Sequence, residues 1–183
     1  EDVNGYEHWG ARAIVEADLS DALALTFIGD YREADDDCCA EVIGTLPAGS
    51  AAASQAGIDI DGDEVREVRN NVINRTWETS WGTSLQADYT IGEAGTLTSI
   101  TAYRDWTNDG LRDGDYADTV YIGIPQLHDY GPEPASTFTQ EVRYASPAGE
   151  RLEYVVGLYY YDAEAQRTFQ RDDIVCTAST LAP

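Results

Sequence analysis

The stretch STFTQEVRYASPAGERLEYVVGLYYYDAEA, Ser136 to Ala165, decides how this chain is read. Its first half alternates: Phe138, Gln140, Val142 and Tyr144 fall on one side, Thr137, Thr139, Glu141 and Arg143 on the other. Alternation with period two is the mark of a β-strand with two unlike faces. A turn at Pro147–Glu150 and a second aromatic strand complete a hairpin. In a soluble sheet the apolar side would meet a core. In a membrane barrel it would meet lipid, with the polar side facing an aqueous lumen. One strand does not separate these, so the rest of the chain must.

Alternation recurs in two earlier hairpins. Ala11, Ala13, Val15, Ala17 and Leu19 oppose Arg12, Glu16 and Asp18; after a Ser20-Asp21-Ala22 turn, Leu23, Leu25, Phe27 and Tyr31 oppose Thr26, Asp30 and Arg32. Thr76–Tyr89 puts Trp77, Trp81, Leu85, Ala87 and Tyr89 against Glu78, Ser80, Ser84, Gln86 and Asp88. The turn Gly92–Gly95 follows, then Thr96–Trp106, a strand by composition whose faces are mixed and whose orientation stays open. Long polar stretches run over Glu33–Asn74 and Thr107–Ala135, and a third begins at Arg171. Within the first, Gly62–Asn71 has the pattern of a turn or two of helix.

The expected architecture is all-β: an antiparallel up-and-down meander of about six long strands, part of a transmembrane β-barrel, with long irregular extracellular loops. Strict alternation of short and long connections is the habit of outer-membrane barrels, whose short turns lie at the periplasmic rim. Trp77 and Tyr89, on one face at the two ends of one strand, would bracket an apolar band about 25 Å tall, with Trp81 just inside it.

Composition narrows the function. The chain has 183 residues, enough for one domain, and 43% are hydrophobic, so it is no disordered acidic tail. Its net charge of -23 disfavours phosphate backbones, so no nucleic-acid partner is expected. No apolar run approaches the length of a spanning helix. All 11 basic residues are Arg, and Met is absent. The opening EDVNGYEHWG carries neither Met nor a signal peptide, as expected of a processed product or a piece of something longer.

At this point the residues resemble a family. Thr139, Gln140, Glu141, Arg143, Ser146 and Pro147, then Tyr154, Val155, Gly157, Tyr159 and Tyr160, resemble the "TQE-R-aSp" and "Y-V-G-Y-Y" strands of TonB-dependent outer-membrane receptors. LTSITAYRDW (Leu97–Trp106) resembles the strand before that hairpin, and DYREADDDCC (Asp30–Cys39) a loop with paired cysteines. The three blocks come in the family's order and cover most of Gly10–Asp172. The resemblance implies a non-enzymatic importer of a scarce nutrient, such as a siderophore–iron chelate, corrinoid or glycan, in a Gram-negative outer membrane. Energy would come from the TonB complex acting on a plug region that this chain lacks. It also lacks the family's closing strand, which makes it an internal fragment of barrel wall contacting membrane lipid.

Candidate site residues follow. The polar set Arg12, Glu16, Asp18, Glu78, Gln86, Asp88, Glu141, Arg143 and Glu153 would face the lumen, mostly as generic solvated wall. Trp106, Tyr116, Tyr121 and Tyr130 are the expected ligand contacts, being aromatics in or beside the loops. DIDGDE brings together Asp59, Asp61, Asp63 and Glu64, and RDGDYAD brings Asp113, Asp115 and Asp118; either is a weak Ca²⁺ candidate, and the first departs from an EF-hand at Glu64 and Asn70. Of Cys38, Cys39 and Cys176, one of the adjacent pair bonded to Cys176 and three free thiols are both open. No nucleophile-elbow or zinc-protease motif occurs. The alternative is a secreted acidic all-β binding module, Ca²⁺-stabilised and carbohydrate-binding. A hydrolase fragment has only its many carboxylates in its favour.

Overall fold

The computed structural model describes residues 3–37, 70–116 and 125–175. The fold is all-β: β1 (Tyr6–Ser20), β2 (Leu23–Asp36), β3 (Arg75–Thr90), β4 (Thr96–Asp113), β5 (Gln126–Ala145), β6 (Val155–Ala165) and β7 (Gln170–Ile174). They form one antiparallel sheet in chain order, with β7 also on β5. The sheet is open, and β1 and β6 are its edges.

β7 is the outer half of the sixth strand. The β5–β6 register continues without a shift into the β5–β7 register. Between them the amides of Gln166 and Thr168 donate to the carbonyls of Pro134 and Pro132 at 2.9 and 3.0 Å. The return bonds cannot form, because proline has no N–H. The ladder therefore lapses over residues 166–169 while the strand path goes on. Gly131 sits in the same lapse, where a Cβ would collide with the Thr168 carbonyl oxygen.

The strands run further than alternation suggested. β4 continues seven residues beyond Trp106, and β5 begins at Gln126, inside the stretch read as loop. Gln170–Ile174 is likewise strand rather than irregular chain. Gly, Asp and Pro made these segments look like loop, but each outer extension pairs with a neighbour that shares its length. The last turn is longer than Pro147–Glu150: it spans residues 146–154, closed by the Ser146 amide on the Tyr154 carbonyl (2.9 Å) and the Tyr154 amide on Ser146 Oγ (2.8 Å). At the first turn Ser20 Oγ accepts the amides of Ala22 and Leu23 at 3.3 and 3.1 Å. At the middle one Gly95 takes φ of 116°, which a side chain would strain, and packs against Ala145.

Register settles β4. Leu97 opposes Tyr89 and Tyr144, so Leu97, Ser99, Thr101, Tyr103 and Asp105 share the face of Trp81 and Val142. Thr98, Ile100, Ala102, Arg104 and Trp106 share the other.

That first face carries a continuous aromatic row, one ring per strand: Trp9, Tyr31, Trp81, Tyr103, Phe138 and Tyr160. Trp9 and Tyr31 lie 5.0 Å apart, Trp81 and Tyr103 5.3 Å, Phe138 and Tyr160 6.2 Å. Tyr31 directly opposes Trp81, and Tyr103 opposes Phe138. Two residues outward, every strand turns polar: Glu7, Glu33, Thr79, Asp105, Ser136 and Asp162. The Trp9 indole N–H donates to Glu33 (2.8 Å) and the Tyr103 hydroxyl to Asp105 (3.4 Å), so the rings bridge the boundary. Inward of the row, down to the short turns, this face holds no charged residue. Of its polar members, Ser99, Thr101 and Gln140 satisfy one another: Thr101 Oγ1 donates to Gln140 Oε1 (2.5 Å), and Gln140 Nε2 donates to Ser99 Oγ (3.1 Å).

Nothing described covers this face. Trp81, Leu85 and Val142 are 39%, 45% and 39% exposed. Among the described residues Ala34 is the one buried apolar side chain, so the stacked core of a two-layer domain is not formed by them.

Candidate functional site

The opposite face is built from charges. Arg12, Glu16, Asp18, Glu78, Gln86, Asp88, Glu141 and Arg143 all lie on it by register. Glu153 does not belong to a strand; its carboxylate accepts the Gly149 amide at 2.6 Å within the last turn. Sequence reading missed Arg104 on this face because β4 had no assigned orientation. The Arg104 guanidinium crosses the whole of β3 to reach Asp30 on β2, with bonds of 2.8 and 3.0 Å, and also donates to Ser80 (3.1 Å). It can cross because Gly82 stands between them: a Cβ there would lie 2.9 Å from the guanidinium nitrogen. Arg32 pairs with Glu78 beside it. These groups are half exposed, so each pair contributes about 1 kcal/mol or less.

Toward the long connections this face opens into a cleft of about 360 Å³. Its floor is bare backbone. Gly110 and Gly131 are direct register partners that lack side chains at the same level; the space over Gly110 is open, while over Gly131 the Thr168 carbonyl closes in. The walls are Asn74, Thr76, Asn108 and Arg112 on one side and Asp129, Glu133, Arg167 and Phe169 on the other. Glu133 holds Arg167 at 2.7 Å, and Arg171 forks onto both oxygens of Asp129 at 2.6 Å. That fork keeps the Asp129 carboxyl below the usual carboxylate range and raises Arg171. The Arg171 guanidinium also lies over the Phe169 ring, 5.6 Å from its centre. The Asn108 side-chain oxygen is buried and finds no hydrogen-bond partner among the described residues.

The rim is tied down at Asp113, the largest fully buried side chain described. One oxygen accepts the amides of Asp115 (3.2 Å) and Tyr116 (2.7 Å), the other the amide of Asn71 (3.1 Å). The Asp113 amide donates in turn to Asn74 (2.5 Å). Asp115 accepts the Leu127 amide at 2.9 Å, and burial pushes its carboxyl up. Tyr116, at φ of 54°, is held by its amide on Asp113 and by Arg112, which donates to its hydroxyl at 2.9 Å and faces its ring.

The carboxylates of RDGDYAD that fall among the described residues thus fasten backbone. Among those residues no three His, Cys, Asp or Glu side chains are grouped to hold a metal ion. Asp59, Asp61, Asp63, Glu64, Asp118, Tyr121, Cys38, Cys39 and Cys176 lie outside the described residues, as does Gly62–Arg69 of the helical segment. Of the expected ligand contacts, Trp106 shares the face of the cleft, two positions along β4 from Asn108. Tyr116 stands at the rim. Tyr130 belongs to the cleft lining, although register places it on the aromatic-row face opposite Leu111; Trp77, on that same face, lies beyond the polar row, beneath Arg75. Arg75 forks onto Asp35 (2.7 and 2.5 Å) and lowers that carboxyl. Gly110, Gly131, Asn108, Arg167 and Phe169 were not foreseen. The run YGPEP, with glycine between strand residues and alternate prolines, was the available signal, since such a pattern marks a strand whose ladder is interrupted. No family model, curated protein or solved structure matches the chain.

Proposed function

We propose that this chain is a length of β-barrel wall from a TonB-dependent outer-membrane receptor, an energy-coupled importer of a scarce nutrient. The observation that carries the reading is the aromatic row with the charge-free face beneath it. The row drifts steadily relative to register. It shifts two residues toward the short turns between β1 and β2, again between β3 and β4, and again between β5 and β6. That is about 20 Å along the strands over about 24 Å across five strand spacings. A row lying level in a membrane plane then requires strands tilted by about 40°, inside the range of transmembrane barrels. From Trp81 to Tyr89 the face runs about 26 Å along β3, or about 20 Å in height at that tilt, close to the apolar band of such barrels. The family itself rests on the strand motifs around Glu141 and Tyr159.

On this reading the charged face lines the lumen, and the cleft opens toward the cell exterior. The open edges β1 and β6 need further strands, since hydrocarbon tolerates no unpaired edge. A secreted β module would need a second layer over the aromatic face, supplied from outside the described residues.

The test is to isolate outer membranes of the source cell, find the protein containing these peptides, and photolabel it with a lipid-borne probe. The expected result is a species several times heavier than 20.0 kDa, labelled at Leu85 and Val142 and spared at Gln86 and Arg143. A stable soluble species of 20.0 kDa would sink the reading.

A further inference from the structure

We infer that the cavity between Trp9 and Trp77 is a binding site for a quaternary ammonium cation, such as the trimethylammonium end of a choline headgroup. The cavity lies on the aromatic-row face, just outward of the row, across β1, β2 and β3. Register builds it. Trp9, Glu33 and Thr79 stand side by side at one level, and Glu7, Asp35 and Trp77 at the next. The two indoles are therefore diagonal, with the carboxylates of β2 between them. Both stay open to the outside, Trp9 at 53% and Trp77 at 37% exposure. The enclosed space is about 210 Å³. Sites for drug-sized molecules run to about 300–1,000 Å³, so this one suits a single small group.

Charge selects the ligand. Glu7, Glu33 and Asp35 all line the cavity. Arg75 forks onto Asp35 and neutralises it. Glu33 accepts the Trp9 indole N–H (2.8 Å), and neither it nor Glu7 has a cationic partner among the described residues. Two carboxylates thus stand uncompensated beside two indoles. Aromatic ring faces attract cations, tryptophan most strongly, and quaternary ammonium groups are the ligands that aromatic cages take. The chain shows the preference itself, since the Arg75 guanidinium lies over the Trp77 ring, 4.8 Å from its centre. A metal ion is the poorer fit. Among the described residues no three His, Cys, Asp or Glu side chains are grouped to hold one, and indoles offer no oxygen ligands. An anion would meet the two free carboxylates. Position favours a lipid as the source of the cation: on the receptor reading, and in this clause alone does the inference rest on it, tryptophans at this level lie among headgroups.

The experiment titrates labelled choline by equilibrium dialysis against the intact protein, purified in an uncharged detergent from the cell fraction that holds it. Competitors are short-chain phosphatidylcholine, magnesium chloride, and the uncharged isostere of choline in which a tert-butyl group replaces trimethylammonium. Choline should bind saturably, phosphatidylcholine should displace it, and magnesium and the isostere should not. Glu33→Gln keeps an acceptor for the Trp9 indole and removes the charge with no change of size. It and Trp9→Leu should each weaken choline by about fivefold or more, the loss of one cation contact. Asp105→Asn, in the same polar row but outside the cavity, should leave the affinity within about twofold, as a contact at that distance contributes little. No saturable choline binding, equal binding of the isostere, displacement by magnesium, an affinity indifferent to Glu33→Gln or Trp9→Leu, or an equal loss in Asp105→Asn would overturn the inference. Choline bound with no competition from phosphatidylcholine would assign a free amine and overturn the lipid source. Fractionation is scored separately. A soluble protein that binds choline here defeats the membrane reading and leaves the site standing; an outer-membrane protein that binds none does the reverse.

Discussion

The strand halves nearest the short turns and those nearest the long connections obey different rules. In the first, one face is free of charge from Ala11 to Leu158 while the other carries Arg12, Glu16, Asp88 and Arg143. In the second, both faces are polar, and the strands hold together through guanidinium–carboxylate forks such as Arg75–Asp35 and Arg171–Asp129. The backbone ladder runs through both and lapses, among the described residues, over 166–169 in the second. On the proposed barrel reading, what changes at the aromatic row is the medium that the face meets.

The sharpest way to break that comparison is to put one charge on each side of the row. On the proposed barrel reading, with the protein refolded into phospholipid vesicles, Leu85→Arg should cost about 2–4 kcal/mol in urea unfolding, as lipid-facing arginine does near the bilayer middle. Thr79→Arg, on the same strand and face but beyond the row, should cost no more than about 1 kcal/mol. Equal costs would erase the boundary.

Two glycines give the next contrast. Gly131→Ala drives a methyl into the Thr168 carbonyl, which is backbone and cannot swing aside; about 1–3 kcal/mol of stability should be lost. Gly110→Ala, its register partner, meets open space and should change urea stability by less than about 0.5 kcal/mol. If both are silent, the lapse between β6 and β7 is looser than its geometry.

Gly82→Val should have a smaller effect, about 1 kcal/mol, because the group it strikes is the flexible end of Arg104. In that background Asp30→Ala should cost nothing further, since the cross-strand pair is already broken.

The smallest effect is in pH. Asp35 and Asp129 titrate below their ordinary value because of Arg75 and Arg171. Their contribution is present above the unfolded-chain carboxylate value, near 4, and lost as pH falls through the still lower folded values. Asp115 works the other way: raised by burial, it favours the fold at low pH and withdraws that support as pH rises through its folded value. Asp129→Asn should flatten the acid limb of the stability curve, and Asp115→Asn should remove the opposing slope. Acid limbs unchanged in Asp129→Asn would discard the Arg171 fork as a source of stability.

Much of this was legible in one dimension. Alternation alone places Val142 and Arg143, Leu85 and Gln86, on their opposite faces, because period two is local. β4 was not legible: Ile100 lies on the charged face and Asp105 on the aromatic one, so neither face is uniform until its partners are known. The outer extensions failed for another reason. Glycine, aspartate and proline weaken a strand's own preference, and Asn108–Asp113 is held by pairing across to His128–Glu133 rather than by composition. The aromatic row and the cleft are products of register. Trp9 and Tyr31 meet across a hairpin, and Gly110 and Phe169 share a cleft though 59 positions separate them in the chain. No window of sequence contains both.

Pro132 and Pro134 have a mechanical consequence. A strand fastened by reciprocal bonds peels only as a whole, but here the seam is perforated at one level. Pulled from its outer end, Gln170–Ile174 would tear free at those perforations, leaving β6 stitched to β5 below.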